Sequence, residues 1–568
     1  MTRPLAKGVT LIQEVTTGGA PQIVNVVRVD LATPGVKVRY GQANDTISLA
    51  GAAQGREAIH TLAARHGAVA AVNADFFPFT GDPLGIAIRD GELLSEPMEY
   101  RVCLGLAPDG VKMGVLVCVG TLTTADNRSM PLHGINRVPQ DGEIVVLTPT
   151  YTATPRLKKA AFVLTLNQVN LPVRVAQEMQ GAIEEIATIA PDQPLPACPK
   201  GKALIVAAGS SMELFQQKCP VGEGVTFRFD LAPNLPPQGR GRFPSRAGAL
   251  RGRKLEPYWA DVQQAVGGGP WLVRDGEVYV DGEAEDFAKE SFVDRLHPRT
   301  AVGVTKEGVL LLVTVDGRQA WSRGASLTEL AGIMKRLGAY NAINLDGGGS
   351  TSLWALGGVI NAPSDGRLRP VANGLLVFGD PLPIREGEAE QIRPAAPSST
   401  RAEGGVVSFV LNAGEPLLFQ LTDMQGKPVA GDAPILWGTG DGLGFVSQKG
   451  VFTSYRAGAG YVLARRNGRV HSAPVLVLPG AAARISARLA KVPDQPAEYQ
   501  QLIVTVTDRF GNALAGQKVQ VAIQGGQCEA QLTTNAEGMA KADVFWDVEP
   551  SRRALTVTTS GGLTATAR

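Results

Sequence analysis

Two stretches of the chain carry the i, i+3, i+4, i+7 apolar spacing of an amphipathic helix. In the first, from about Gln54 to His66, Ile59, Leu62 and Ala63 share a face and Gly67 follows as a stop signal. In the second, Ser326 and Glu329 form a capping box, Leu330, Ile333, Met334 and Leu337 line one face, and Gly338 ends the run. Elsewhere, apolar and polar residues alternate over short runs. Asp-Gly pairs at 90–91, 109–110, 275–276 and 316–317 supply the turn chemistry of hairpins. Residues 151–260 are less regular, and the Pro/Gly/Arg-rich stretch Pro233–Arg253 reads as a long loop.

Pro381–Glu403 is rich in Pro, Ser and charge and reads as a linker, and after it the pattern is strands and turns alone. Leu421–Gly431 (LTDMQGKPVAG) and Val506–Gly516 (VTDRFGNALAG) superpose at an offset of 85 residues, 423 to 508. The offset aligns Thr422 with Thr507, Asp423 with Asp508, Gly426 with Gly511, Ala430 with Ala515 and Gly431 with Gly516. Such a period with dense turn signals suits two tandem β-sandwiches, 404–480 and 481–568. The T-D-x-x-G wording resembles bacterial immunoglobulin-like domains, the second copy being similar to the invasin type. As generic spacers such domains need have no binding activity of their own.

Composition narrows the functional classes. Of 568 residues, 44% are hydrophobic, enough for several packed cores, and no apolar run approaches the roughly 20 residues of a membrane helix. The net charge of +2 gives no reason to expect nucleic acid as a partner. Five cysteines without a Cys-x-x-Cys or Cys/His cluster argue against zinc. By position, Cys103 could pair with Cys118, and Cys198 with Cys219. The opening MTRPLAKGVTLIQEV has no signal-peptide pattern.

The two helices feed one local grammar. Gly67–Asp75 reads GAVAAVNAD and Gly338–Asp346 reads GAYNAINLD, so a helix stop leads into a short apolar strand closed by Asn-x-Asp. Alternation puts Asn73 with Asp75, and Asn344 with Asp346, on one strand face. Carboxylates at strand ends are where sites are built, although a lone Asp there is often only a turn cap. Asp346 runs into Gly347, Gly348, Gly349 and Ser350, a loop whose bare backbone can turn N–H groups toward an anion. It lacks the Lys of a P-loop. Asp75 runs into Phe76-Phe77-Pro78-Phe79, an apolar shelf suited either to a sugar ring or to plain packing. Arg299 and Thr300, and Asp316-Gly317-Arg318, open and close successive strands, and an Arg fork is matched to phosphate.

Taken together, VNADFF, AVGGGPWLVRDGE, HPRTAVGVTKEG, LLLVTVDGRQ and GASLTELAGIMKRLGAYNAINLDGGGSTSLW resemble the phosphodiester glycosidase family. The resemblance covers about residues 8–380. It implies an α+β (mixed α/β) catalytic domain over 1–380 that hydrolyses a sugar-1-phosphodiester and leaves a phosphate monoester. By the same resemblance the site residues are Asn73, Arg299 with Thr300, Asp316 to Arg318, and Asp346 to Ser350. Family members more often have Gly at the position of Asp75. Asp316 or Asp346 would be base or nucleophile at an oxocarbenium-like carbon, with Asn73 and Asp75 beside them. Arg299, Thr300, Arg318 and the Gly347–Ser350 loop would hold the phosphate.

The expected partner is therefore a carbohydrate phosphodiester of a glycan or cell-envelope polymer, outside the cell or in the periplasm, with a leader absent from this sequence. No cofactor is required, and a carboxylate-only Ca²⁺ or Mg²⁺ site would leave no spacing signature. Two alternatives share the motifs: a sugar-phosphate-binding adhesin without turnover, and a phosphodiesterase cutting P–O.

Overall fold

The computed structural model describes residues 1–47, 55–215, 219–234, 250, 255–380, 382, 389–429 and 433–567. The chain forms two units. One comprises Met1–Glu386 with Ala433–Leu436 and Arg465–Arg469, the other Gly387–Asp432, Trp437–Ala464 and Val470–Arg568.

In the first unit, an eight-stranded sheet runs in the order Thr2–Ala6, Val9–Thr16, Gln22–Asp30, Val309–Val315, Arg299–Thr305, Ala339–Asn344, Trp271–Arg274, Glu277–Val278. Its pairings are antiparallel, with Arg299 opposite Val315 and Ala301 opposite Asn344. The helix Leu327–Arg336 covers this sheet. Its Ser326–Glu329 capping box is complete, and Leu327, Leu330, Ala331 and Met334 pack on Ala301, Leu311 and Val313. The helix Ile59–His66 is closed by Gly67 in the left-handed conformation, where a side chain would be strained. It lies on the neighbouring strands Ala70–Asn73, Leu353–Ala355 and Asn373–Phe378 through Ile59, Leu62, Ala63, Ala71, Trp354 and Leu376. Leu353 faces Val72, and Gly374 faces Asn73. A further sheet takes in Val102–Ala107, Gly110–Thr124 and Gln264–Gly267 together with four long strands from the irregular stretch: Ala161–Asn167, Met179–Ile189, Ala203–Ala208 and Gly224–Pro233.

The expectation of an α+β catalytic domain is overturned. Strands make up 49% of the structure and helices only 7%, so the architecture is nearly all-β. The two legible helices carry strong local periodicity, whereas the strands owe their existence to partners far away in sequence. The cysteine pairings also fail, since all five thiols are free. Strand register sets Cys103 opposite Gly114 and Cys118 opposite Leu231. The loop expected at Pro233–Arg253 falls largely outside the described residues, as does Gln54. Of the expected linker, Pro381 and residues 383–388 lie outside them too, while Glu390–Pro394 and Thr400–Glu403 are strands. No helix among the described residues is long and apolar enough to cross a membrane.

The second unit is built of β-sheets. Its C-terminal part packs the sheet Ala482–Lys491, Tyr499–Asp508, Met539–Trp546, Gly526–Gln527 against Gln531–Thr533, Lys518–Gln524, Ala554–Thr559, Thr564–Thr566. Leu502, Val504, Val519, Trp546, Leu555 and Val557 fill the space between. The sequence repeat recurs as geometry. Asp423 Oδ1 accepts from the main-chain N–H groups of Gln425 and Lys427, and Asp508 Oδ1 from those of Phe510 and Asn512. The same turn is thus built twice, with bridges Thr422 to Pro428 and Thr507 to Ala513. Ala430 and Gly431 of the first copy lie outside the described residues. In the second copy the turn is clasped by the preceding sheets. Asn512 donates from Nδ2 to the Tyr455 carbonyl and accepts from the Ala457 N–H, and the Tyr455 and Phe510 rings stack 4.3 Å apart.

Candidate functional site

The Asn-x-Asp strands end side by side. Asn73, 1% exposed, donates from Nδ2 to the Asp346 carbonyl at 2.7 Å. Its Oδ1 accepts from the Thr300 hydroxyl at 2.8 Å and from the Ser352 N–H at 3.0 Å. One amide side chain therefore ties together three segments more than 200 residues apart from it. The main chain repeats the tie: Asp346 N–H donates to the Ala74 carbonyl and Leu345 N–H to the Thr300 carbonyl, both at 2.9 Å. Asn344 is likewise buried, and its Nδ2 donates to the Gly269 carbonyl at 2.8 Å, pinning the Gly267–Pro270 turn beside the site.

Of the predicted carboxyl groups, Asp346 alone keeps part of its surface open. Burial pushes its pKa up to about 6, against the Ser350 hydroxyl, the Arg369 charge and the Gly347 N–H, which favour the anion. Asp75 is 3% exposed, and its Oδ1 and Oδ2 accept from the Phe76 and Gly85 N–H groups, both at 2.8 Å. Burial raises it to about 7, and neighbouring Asp346 adds to the rise. Asp316 has no exposed surface. Its Oδ2 accepts from the Ala362 N–H at 3.0 Å, and burial lifts it to about 7. It therefore stands beneath the site, joined to it through Asn361, which donates to the Thr351 carbonyl.

The Gly347–Ser350 loop requires its glycines. A Cβ on Gly347 would meet the Pro298 carbonyl oxygen at 2.8 Å, and Gly348 has a left-handed φ of 62°. Arg318 is exposed above this loop: a Cβ on Gly348 would lie 3.1 Å from its Nη2. Arg318 Nη2 also meets His297 Nδ1 at 3.0 Å. His297 is held below the usual histidine range, by burial first and then by the charges of Arg299, Arg318 and Arg295.

Arg299 is placed differently from Arg318. It is 1% exposed, and its Nε donates to the Ala325 carbonyl while Nη2 donates to those of Phe292 and Arg295. Its fork is spent on main chain, and burial with nearby Arg318 lowers its pKa to about 10. Thr300, fully buried, serves Asn73 as described. The Phe76 ring leaves the expected shelf and packs 5.5 Å from Phe287 and 6.0 Å from Phe292, whereas Phe79 is 83% exposed.

Sequence reasoning passed over Glu285, Arg101 and Arg369. Glu285 is 1% exposed, accepts from the Trp271 and Val102 N–H groups, and is raised by burial to about 7. It sits in an acidic turn that reads as solvated surface. Arg369 pairs with Asp365 at 2.8 Å and reaches Gly349, where a Cβ would collide with its guanidinium. No cluster of three His, Cys, Asp or Glu suited to a metal ion occurs among the described residues.

The phosphodiester glycosidase family matches residues 234–378. The mouse N-acetylglucosamine-1-phosphodiester alpha-N-acetylglucosaminidase is 38% identical over 110 residues, 18% of this chain and 21% of that protein. The SPbeta prophage-derived uncharacterized protein YomE of Bacillus subtilis (strain 168) is 33% identical over 135 residues, 23% of this chain and 20% of that one. This chain thus spans about a fifth of the length of these curated relatives. A solved structure of a hypothetical protein from Synechocystis superposes with a TM-score of 0.51 at 23% identity, covering 66% of this chain and 62% of that one, and shares the fold. Arg299–Thr300, Asp316–Arg318 and Asp346–Ser350 all fall in the stretch, residues 234–378, that is similar to the phosphodiester glycosidase family.

Proposed function

We propose that the protein is a hydrolase that breaks the sugar C–O bond of a sugar-1-phosphodiester, with N-acetylglucosamine as the sugar suggested by the mouse relative's name. The observation that carries this reading is Asp346, a partly open carboxyl raised to about 6, set beside the glycine loop under the Arg318 guanidinium. At neutral pH Asp346 is an anion and stands where an oxocarbenium-like carbon would need one. Arg318 would hold the phosphate, which leaves with the bridging oxygen and needs little protonation once so paired. Water supplies the oxygen that ends on the sugar carbon, and its proton leaves through the carboxylate or to solvent. Asp316, Asn73, Thr300 and Arg299 act as positioning residues under the loop.

Asp75 lies against Asp346 and, raised to about 7, limits how much negative charge accumulates there. A site of this kind suits a glycan or cell-envelope polymer met outside the cytoplasm. Hydrolysis of an α-N-acetylglucosamine-1-phosphodiester in ¹⁸O-water tests the reading. Label in the sugar supports C–O cleavage, label in the phosphate replaces it with P–O cleavage, and an absence of turnover favours a binding protein.

A further inference from the structure

Arg101 stands out among the cations near the site because nothing spends its hydrogen-bonding capacity. Its Nε is buried without a partner, and Arg101 gains none elsewhere among the described residues. Arg299, by contrast, gives three hydrogen bonds to carbonyls. The Arg101 guanidinium is held flat against aromatic rings, 4.3 Å from the Phe287 centroid and 5.4 Å from that of Phe76. The side chain is half-buried, and with Asp75, Met98 and Gly268 it lines a narrow crevice, so an oxyanion would meet it from its solvent-open side. Its charge acts on both Asp75 and Glu285, yet each carboxyl already accepts two main-chain N–H groups. A rigid, partly desolvated guanidinium with free donors is a site for an oxyanion.

Its position decides which oxyanion. Asp75 joins the two features: the carbonyl of Ala74, just before it, accepts from the Asp346 N–H, and Asp75 itself lines the same crevice as Arg101. The glycine loop and Arg318 stand on the Asp346 side. Arg101 therefore belongs to the part of the substrate away from the scissile phosphate. We propose that Arg101 forms a second oxyanion subsite, which binds an anionic substituent, phosphate or carboxylate, carried by the sugar or by the chain next to the cleaved phosphodiester. This rests on the reading above of a hydrolase that cuts the sugar C–O bond of a phosphodiester, and narrows it to polyanionic substrates.

The test uses the full chain and two binding probes, inorganic phosphate and acetate, with three substrates. One is a simple α-N-acetylglucosamine-1-phosphodiester, one bears an additional phosphate on the sugar, and one an additional carboxylate. Arg101→Gln should raise KM for the doubly charged substrates at least tenfold, leave the singly charged one within twofold, and remove one of two phosphate sites in calorimetry. Arg101→Lys should restore part of the lost affinity for the doubly charged substrates alone, whereas a purely structural role in the aromatic stack would act on all three substrates alike. The preferred doubly charged substrate tells phosphate from carboxylate. Equal losses on all three substrates would assign Arg101 to the scissile phosphate and overturn the second subsite. Unchanged phosphate binding in a folded Arg101→Gln protein would overturn it as well. If the wild type cleaves none of the three, the parent reading fails, and the calorimetry still decides whether Arg101 binds an oxyanion.

Discussion

The Asn73 side-chain amide donates to the main-chain carbonyl of Asp346 at 2.7 Å, across 273 residues of sequence. Replacing Asn73 by Ala leaves that carbonyl, the Thr300 hydroxyl and the Ser352 N–H buried without their partner. At about 1–3 kcal/mol for each group left unsatisfied, and with some relaxation, a loss of about 3 kcal/mol is expected in urea unfolding. A loss below about 1 kcal/mol would remove Asn73 from its place as the tie between the strands.

Asp346→Asn keeps shape and removes charge. Its kcat should fall by a factor of about 100 or more while KM stays similar or drops, because the charge matters most in the transition state. Arg318→Gln should chiefly raise KM. Thermal midpoints of both variants should lie close to wild type, since both positions retain solvent contact. Normal turnover by Asp346→Asn would sink the proposed role.

Arg299→Gln should behave as a structural change. The guanidinium satisfies three carbonyls in a closed environment, so its removal should cost about 3 kcal/mol or more and lower the yield of folded protein. A stable Arg299→Gln variant with only weakened phosphate binding would return Arg299 to the substrate.

Asp316 provides the pH test. Its folded pKa of about 7 lies above the usual 3.8, so between about pH 4 and 7 the folded chain holds a proton that the unfolded chain has released. The group's contribution to stability is fully present below pH 4 and is lost as pH rises through 7. Asp316→Asn should therefore flatten the fall in stability over that window by up to about 1.4 kcal/mol per pH unit, measured by urea unfolding at several pH values. Asp346 predicts a separate kinetic limb, with kcat/KM rising with pH through about 6 as the carboxylate forms.

Gly347→Ala and Gly348→Ala should separate two causes. At Gly347 the new methyl meets an immovable carbonyl at 2.8 Å, so the loop must shift and activity should fall sharply. At Gly348 it meets only the movable end of Arg318, and the left-handed φ should cost about 1–2 kcal/mol with smaller loss of turnover. The reverse order of activities would place the anion-binding backbone elsewhere.

What could be read from sequence was local. The Ser326–Glu329 box, the Gly67 and Gly338 stops, and the paired Asn-x-Asp strands follow from side-chain chemistry within a few residues. The convergence of Asn73 with Asp346 was legible through their duplicated grammar. The fold class was misjudged because helix periodicity is visible without a partner, while strands such as Ala161–Asn167 and Ala203–Ala208 exist by pairing with each other. Arg101 and Glu285 carry no motif. The significance of Arg101 comes from Phe287 and Gly268, and that of Glu285 from Val102, which are remote in sequence and adjacent in space. Arg299 is assigned to the phosphate from sequence because a sequence does not show carbonyls closing over a guanidinium.

The clasp around Asn512 has a mechanical consequence. A linker between two sandwiches ordinarily lets each tumble on its own, but here the Tyr455–Phe510 stack and two hydrogen bonds brace the joint on the side of the repeat turn. A pull on the C-terminal end reaches the preceding sheets as torque as well as tension. The tail then acts as a stiff lever, whose orientation is carried from the C-terminal sheets to the turn before them.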